Sequence, residues 1–184
     1  MDIDLSDDNY IVFAEKPPQV VPGFARYERA ATQGAAPFTY ATSDPKVADV
    51  DDSGTVYLRG NGECTIKAVD SDGTAAEYTL TVRGISTVHL LSSSADWQGM
   101  EAMCSAALVR PVTLAEMKRL WTLYFPSSGP VADYMELLNY PVWTADLIGA
   151  DTAWAYDLNG SSVNDNASGN DKDTFFQVLG IAKA

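Results

Sequence analysis

At 184 residues, 46% of them hydrophobic, the chain has the length for one domain or two small ones and enough apolar side chain to fill their cores. Its formal net charge of −13, from 25 acidic against 12 basic residues, repels phosphate backbones, so nucleic-acid partners are not expected. No run approaches the roughly 20 apolar residues of a membrane-spanning helix and no lysine-rich amphipathic segment is present, so direct membrane insertion is not expected either.

The chain starts Met1-Asp2-Ile3-Asp4-Leu5-Ser6-Asp7-Asp8, acidic and without the basic start or apolar core of a signal peptide. This start implies either a signal on a longer precursor or a route outside general secretion. The stretch from Ala41 to Val82 then reads as short strands cut by turns. Val47, Val50, Val56, Ile66, Ala68, Tyr78, Leu80 and Val82 are the inward candidates, with polar residues between them. Asp52-Ser53-Gly54 and Asp72-Gly73 supply the side-chain acceptors and glycines of tight reversals. Cys64 alternates with Ile66 and is expected to be a small buried hydrophobe. Arg83-Gly84-Ile85-Ser86 is too short a linker to separate two freely tumbling domains and favours a semi-rigid rod.

Beyond it the period changes. Trp97, Met100, Cys104, Ala107 and Leu108 fall on one face of a helix that Ser94 would cap. A second helix starts at Thr113, where Thr113-Leu114-Ala115-Glu116 fits a capping box, and its apolar face is Leu114, Met117, Leu120, Trp121 and Tyr124. Pro126-Ser127-Ser128-Gly129-Pro130 ends it. An irregular stretch, Val131 to Tyr140, precedes strands at 142–145 and 153–158. Asn159-Gly160 is a hairpin signal with 161–163 as the return strand, and 175–181 is a final apolar strand. Helices followed by an antiparallel sheet make this half α+β, against an all-β first half.

Two resemblances attach to these residues. Pro45, Val47-Ala48, Val50 and Gly54, then Gly62, Ile66 and Ala68, then Tyr78 and Val82 are similar to the signature of the group-2 bacterial immunoglobulin-like domain found in the stalks of invasin- and intimin-type adhesins. Trp97, Cys104, Arg110 to Leu120, Trp143 to Ala145 and Ala153 to Val163 resemble the C-type-lectin-like domain that caps those adhesins. The expected architecture is an all-β immunoglobulin-like sandwich over 1–84 plus an α+β C-type-lectin-like domain over 85–184. Relatives often pair the first-helix cysteine with one on the last strand; Val178 and Leu179 stand there in this chain, so Cys104 is expected to be a free, packed thiol. The calcium- and sugar-binding tripeptides of true C-type lectins are missing, so calcium-dependent sugar binding is not implied.

Chemistry finds little support. His89, the one histidine, has no nucleophile-elbow pattern to serve, and one histidine with two scattered cysteines falls short of a zinc site. No catalytic residue, cofactor or metal is assigned. The run Asn164 to Asp173 gathers oxygen ligands beside Gly169 but lacks the closing bidentate glutamate of a calcium loop, and reads as a solvated loop suited to recognition. The candidate ligand-binding residues are Tyr134, Tyr140, Trp143, Trp154, Asn164, Asp165, Asn170 and Asp171, with contacts expected from 127–141 and 159–173. The expected function is a non-catalytic, surface-displayed recognition protein: a phage virion component (decoration, tail or fibre protein) that presents the lectin-like head to neighbouring virion proteins or to a cell-surface glycan or protein receptor. The alternative is the tip of an invasin- or intimin-like adhesin on the bacterial surface, binding a host-cell receptor.

Overall fold

The structure, a computed structural model, describes residues 1–14 and 16–182. Strands β1 (Asp2–Asp4) and β2 (Ile11–Phe13) come first. They are followed by β3 (Arg26–Glu28), β4 (Thr39–Thr42), β5 (Ala48–Val50), β6 (Thr55–Leu58), β7 (Gly62–Val69) and β8 (Ala75–Arg83). Then come β9 (Ser86–Ala95), helix α1 (Trp97–Ala106), β10 (Arg110–Pro111), α2 (Leu114–Tyr124) and the single turn α3 (Val131–Tyr134). The chain closes through β11 (Val142–Leu147), β12 (Thr152–Tyr156), β13 (Ala167–Asp171) and β14 (Phe176–Ala182). Two compact units result, one of residues 1–10 and 21–85, the other of 11–20 and 86–182. Residues 11–20, on the first-domain side of the expected boundary, therefore group with the second unit.

The first unit holds a four-stranded sheet, β1-β8-β7-β4, and a three-stranded sheet, β3-β6-β5. Val56, Leu58, Cys64, Ile66, Leu80 and Val82 are buried, as alternation demands of strands covered on one face. Val50, Ala68 and Tyr78, read as inward, are only half-buried. Tyr78 instead lies under the Arg29 guanidinium, 4.6 Å from its ring centre.

Asp51 organises the β5–β6 turn. One carboxylate oxygen accepts from Ser53 Oγ (2.6 Å), Ser53 N (2.9 Å) and Thr55 N (3.0 Å), and the other from Tyr57 Oη (2.8 Å). The Ser53 hydroxyl, then the Tyr57 hydroxyl, hold its carboxyl down from 3.8 to about 2. Asp4 is lowered to about 2 as well, by the Ser6 hydroxyl first and the Arg83 guanidinium next. An acid whose folded pKa is depressed stabilises the fold above its unfolded value and loses that contribution as pH falls through the folded value. Stability of the first unit is therefore expected to hold down to roughly pH 4 and to fall between roughly pH 4 and pH 2. Urea midpoints across that range test this, and an Asp51→Asn chain with the same pH slope would contradict the assignment.

The second unit is one seven-stranded mixed sheet, ordered β13-β12-β11-β14-β9-β2, with β10 also on β14. Helices cover both of its faces, which is why Val142-Trp143 and Val178-Leu179 are buried at consecutive positions. Trp143, Ala153, Ala155 and Val178 pack with Trp97, Met100 and Cys104 of α1. Val142, Tyr156, Leu179 and Ile181 pack with Met117, Leu120, Trp121 and Tyr124 of α2. The buried Tyr124 hydroxyl ties in the 11–20 segment, accepting from Phe13 N (2.9 Å) and donating to Lys16 O (2.7 Å).

The α2 capping box forms as the sequence indicates, Thr113 and Glu116 each satisfying the other's backbone N–H. Arg110 grips the same carboxylate, its Nη1 2.7 Å from Oε2. Burial pushes the Glu116 carboxyl up, but the bonds from Arg110 and Thr113 outweigh it and the net shift is down. Helix α1 departs from expectation at both ends. Asp96, not Ser94, is the cap, its carboxylate accepting from Gly99 N at 2.7 Å. The helix ends at Ala106, leaving Ala107 and Leu108 outside it and exposed. Both cysteines are free and buried.

Candidate functional site

The return strand expected at 161–163 is instead β13, paired with β12 in an unbroken register from Thr152↔Asp171 to Tyr156↔Ala167. The connection between them, 157–166, is held by asparagine and aspartate side chains rather than by a two-residue turn. Asn159 N donates to Asp157 Oδ1 (2.9 Å), and Ser162 N to Oδ1 of the buried Asn166 (3.1 Å). The carboxamide of Asn166 fills the space in which a Cβ on Gly160 would lie, only 2.0 Å from its Oδ1. Tyr156 Oη closes the base by donating to Val163 O (3.0 Å), and burial pushes that phenol up to about 12.

The two segments expected to recognise a ligand meet at Asn159. Its Nδ2 donates to Asp133 Oδ1 (2.7 Å) and Asn139 Oδ1 (3.1 Å), and its Oδ1 accepts from Asp133 N (3.2 Å). Gln177 anchors the end of the 127–141 segment from beneath. It is 1% exposed, donates to Leu138 O (2.9 Å) and Tyr140 O (2.7 Å), and accepts from Leu138 N (2.8 Å). Neither residue was among the candidates. Gln177 has a signal in the sequence, being the one polar side chain in the apolar run Phe175 to Ile181.

The eight candidates separate by position. Tyr134 and Tyr140 are half-buried, and their hydroxyls donate to Pro17 O (2.7 Å) and Ser93 O, so the phenols pin loops in place. Trp143 is fully buried, its indole N–H donating to Ala95 O at 3.0 Å, which leaves it nothing to offer a ligand. Trp154 is half-buried on β12, directly across from Gly169. Asn164 and Asp165 are exposed in the connection, Lys118 Nζ donating to Asn164 Oδ1 at 3.1 Å. Asn170 and Asp171 lie on β13, so the polar run from 164 to 173 is half strand rather than all loop. Trp154, Asn164, Asp165, Asn170 and Asp171 thus share one margin of the sheet, with Tyr134 joined to it through Asp133 and Asn159.

Comparison with known proteins bears on both units. The family model described as the intimin immunoglobulin-like domain matches residues 24–74. Intimin of Citrobacter freundii is 35% identical over 57 residues, 31% of this chain, and the chain spans only 6% of that protein's length. A crystal structure of an EHEC O157:H7 intimin mutant superposes with a TM-score of 0.52 at 17% identity, covering 81% of this chain and 78% of that one. A C-terminal 282-residue intimin fragment, solved in complex with the intimin-binding domain of the translocated intimin receptor Tir, gives 0.53 at 21% identity, covering 79% of this chain and 52% of that one. At these identities the structures speak for fold, and the sequence match for the first unit. The chain carries an intimin-type immunoglobulin-like domain and has the fold of an intimin fragment, an all-β immunoglobulin-like sandwich with an α+β C-type-lectin-like domain.

Proposed function

We propose that this chain is a non-catalytic receptor-binding part of a bacterial surface adhesin, its second unit engaging a protein on a host cell and its first unit presenting that head. The observation that carries the reading is the shared fold over four-fifths of the chain with intimin fragments, one of them solved holding its receptor's intimin-binding domain. The expectation of a virion decoration, tail or fibre protein with virion neighbours gives way to its alternative, since the relatives described are bacterial intimins. Surface position on a bacterium replaces the virion surface for the same reason.

The sheet margin built by β12, β13 and the 157–166 connection is the binding face we assign. It offers a half-exposed tryptophan, exposed polar groups, and loops clipped in place by Asn159 and Gln177, so little ordering remains to be done on binding. Labelled full chain, titrated onto cultured mammalian cells and onto purified Tir intimin-binding domain, tests the reading. Saturable binding to one of them at roughly micromolar Kd or tighter is expected. Absence of saturable binding to both at tens of micromolar (roughly −6 kcal/mol or weaker) would overturn it.

A further inference from the structure

Strand β13 ends the sheet order, paired with β12 on one side and, among the described residues, with no strand on the other. In an antiparallel ladder, residues that exchange hydrogen bonds alternate with residues whose amides and carbonyls point away from the partner strand. Asp157 N donates to Asn166 O and Lys172 N to Asp151 O, both at 2.9 Å, which fixes the bonded positions of this ladder at 166, 168, 170 and 172. Ala167, Gly169 and Asp171 therefore turn their backbone groups outward. Thr174 N takes Asp171 O, and Ala167 N reaches Asn164 O at 3.4 Å. Among the described residues, four groups remain open along the edge: Ala167 C=O, Gly169 N–H and C=O, and Asp171 N–H.

Two devices that usually blunt such an edge are missing: proline is absent from β13 and its pairing with β12 has no bulge. The one charged side chain within it, Asp171, is exposed and repels acidic rather than basic strands. On the face shared by Gly169 and Trp154, Ile148 supplies an apolar contact surface: it is 48% exposed, and its Cδ1 lies 2.7 Å from where a Cβ on Gly169 would be. A strand added at this edge would place the side chain facing Gly169 against that surface.

Charge selects the strand. Asp151, Asp165, Asp171 and Asp173 are exposed around this edge, and among the described residues none of them is in an ion pair. The adjacent Lys172 is committed, its ammonium donating to Ala150 O (2.8 Å) and lying 4.7 Å from the centre of the Trp97 ring. We propose that β13 is a strand-addition site, at which an extended, lysine- or arginine-bearing segment of a protein partner continues the sheet through Gly169 and Asp171. The biological occupant rests on the receptor-binding reading above; the edge chemistry does not.

The test uses ¹⁵N-labelled full chain and two cyclic hairpin peptides, one with alternating Val and Lys along its strand and a twin with Val and Glu. The Lys peptide is expected to shift and protect the Gly169 and Asp171 amides, with the Glu twin at least 10-fold weaker. Gly169→Pro and Asp171→Pro remove an outward N–H while leaving the β12 ladder intact, since proline is tolerated where the amide faces solvent. Each is expected to weaken the Lys peptide at least 10-fold with chain folding retained by its NMR spectrum. Protection elsewhere than at these amides, equal binding of the Glu twin, or no shift at millimolar peptide would overturn the site even if both proline variants failed to fold. Cell binding that persists in Gly169→Pro would remove the edge and leave the receptor reading standing; peptide docking by a chain that binds no cells would do the reverse.

Discussion

Trp143→Ala is expected to destabilise the second unit by about 4 kcal/mol, the largest loss of any single side chain considered. The indole is fully buried between α1 and the sheet, meets the Phe176 ring edge-on at 4.8 Å, and donates to Ala95 O. Truncation leaves both a cavity and a buried carbonyl without its donor, and the two costs add. All four tryptophans, at 97, 121, 143 and 154, belong to the second unit, so the three that remain report its unfolding by fluorescence. Their urea midpoint should fall sharply. A change under about 1 kcal/mol would contradict the burial of this side chain.

Gly84→Ala is the counterpart in the first unit. Gly84 has φ +89°, and a Cβ there would sit 2.2 Å from Ser6 N and 2.6 Å from the carbonyl carbon of Leu5. Those are backbone atoms of the segment that follows β1, held where Leu5 N donates to Arg83 O at 2.9 Å. Left-handed backbone costs an L-residue about 1–2 kcal/mol, and the overlap adds about 1–3 kcal/mol more, for a total near 3 kcal/mol. Far-UV circular dichroism should show the first unit melting earlier while the tryptophan transition stays in place. If both transitions moved together, the division into two compact units would not describe the unfolding of this chain.

What could be read from the residues was local or strictly periodic. The Thr113–Glu116 box depends on a three-residue spacing, and the strands of the first half alternate because each sheet is covered on one face. Where helices cover both faces of the second sheet, alternation vanishes, as at Val142-Trp143-Thr144 in β11, and nothing local says that Trp143 is core while Trp154 reaches the surface. The misplaced return strand has a similar cause. Asn159-Gly160 carries a hairpin signal, but the buried carboxamide of Asn166 captures the backbone at Ser162 and delays the return until Ala167. Nor does the apolar triplet Ile11-Val12-Phe13 name its partner. It pairs in parallel with Ser86–Val88, across more than 70 residues of intervening chain, and that contact belongs to tertiary structure alone.

The irregular stretch in 127–141 and the polar run in 159–173 could be read from the residues as candidate segments, whereas Asn159 and Gln177 matter for what they reach across the fold. The phenols of Tyr134 and Tyr140 look like contact residues in sequence because aromatic rings in irregular segments are often exposed, yet both spend their hydroxyls on backbone carbonyls.

Saturation binding of wild-type and Trp154→Ala chains to cultured mammalian cells tests whether the proposed β12–β13 margin of the second unit binds a host-cell protein. Wild-type binding is expected to saturate, and the Trp154→Ala chain to bind at least 10-fold more weakly, about 1.4 kcal/mol or more, with the two chains melting within a few degrees of each other. Equal affinity of the two chains would rule out this margin as the binding face.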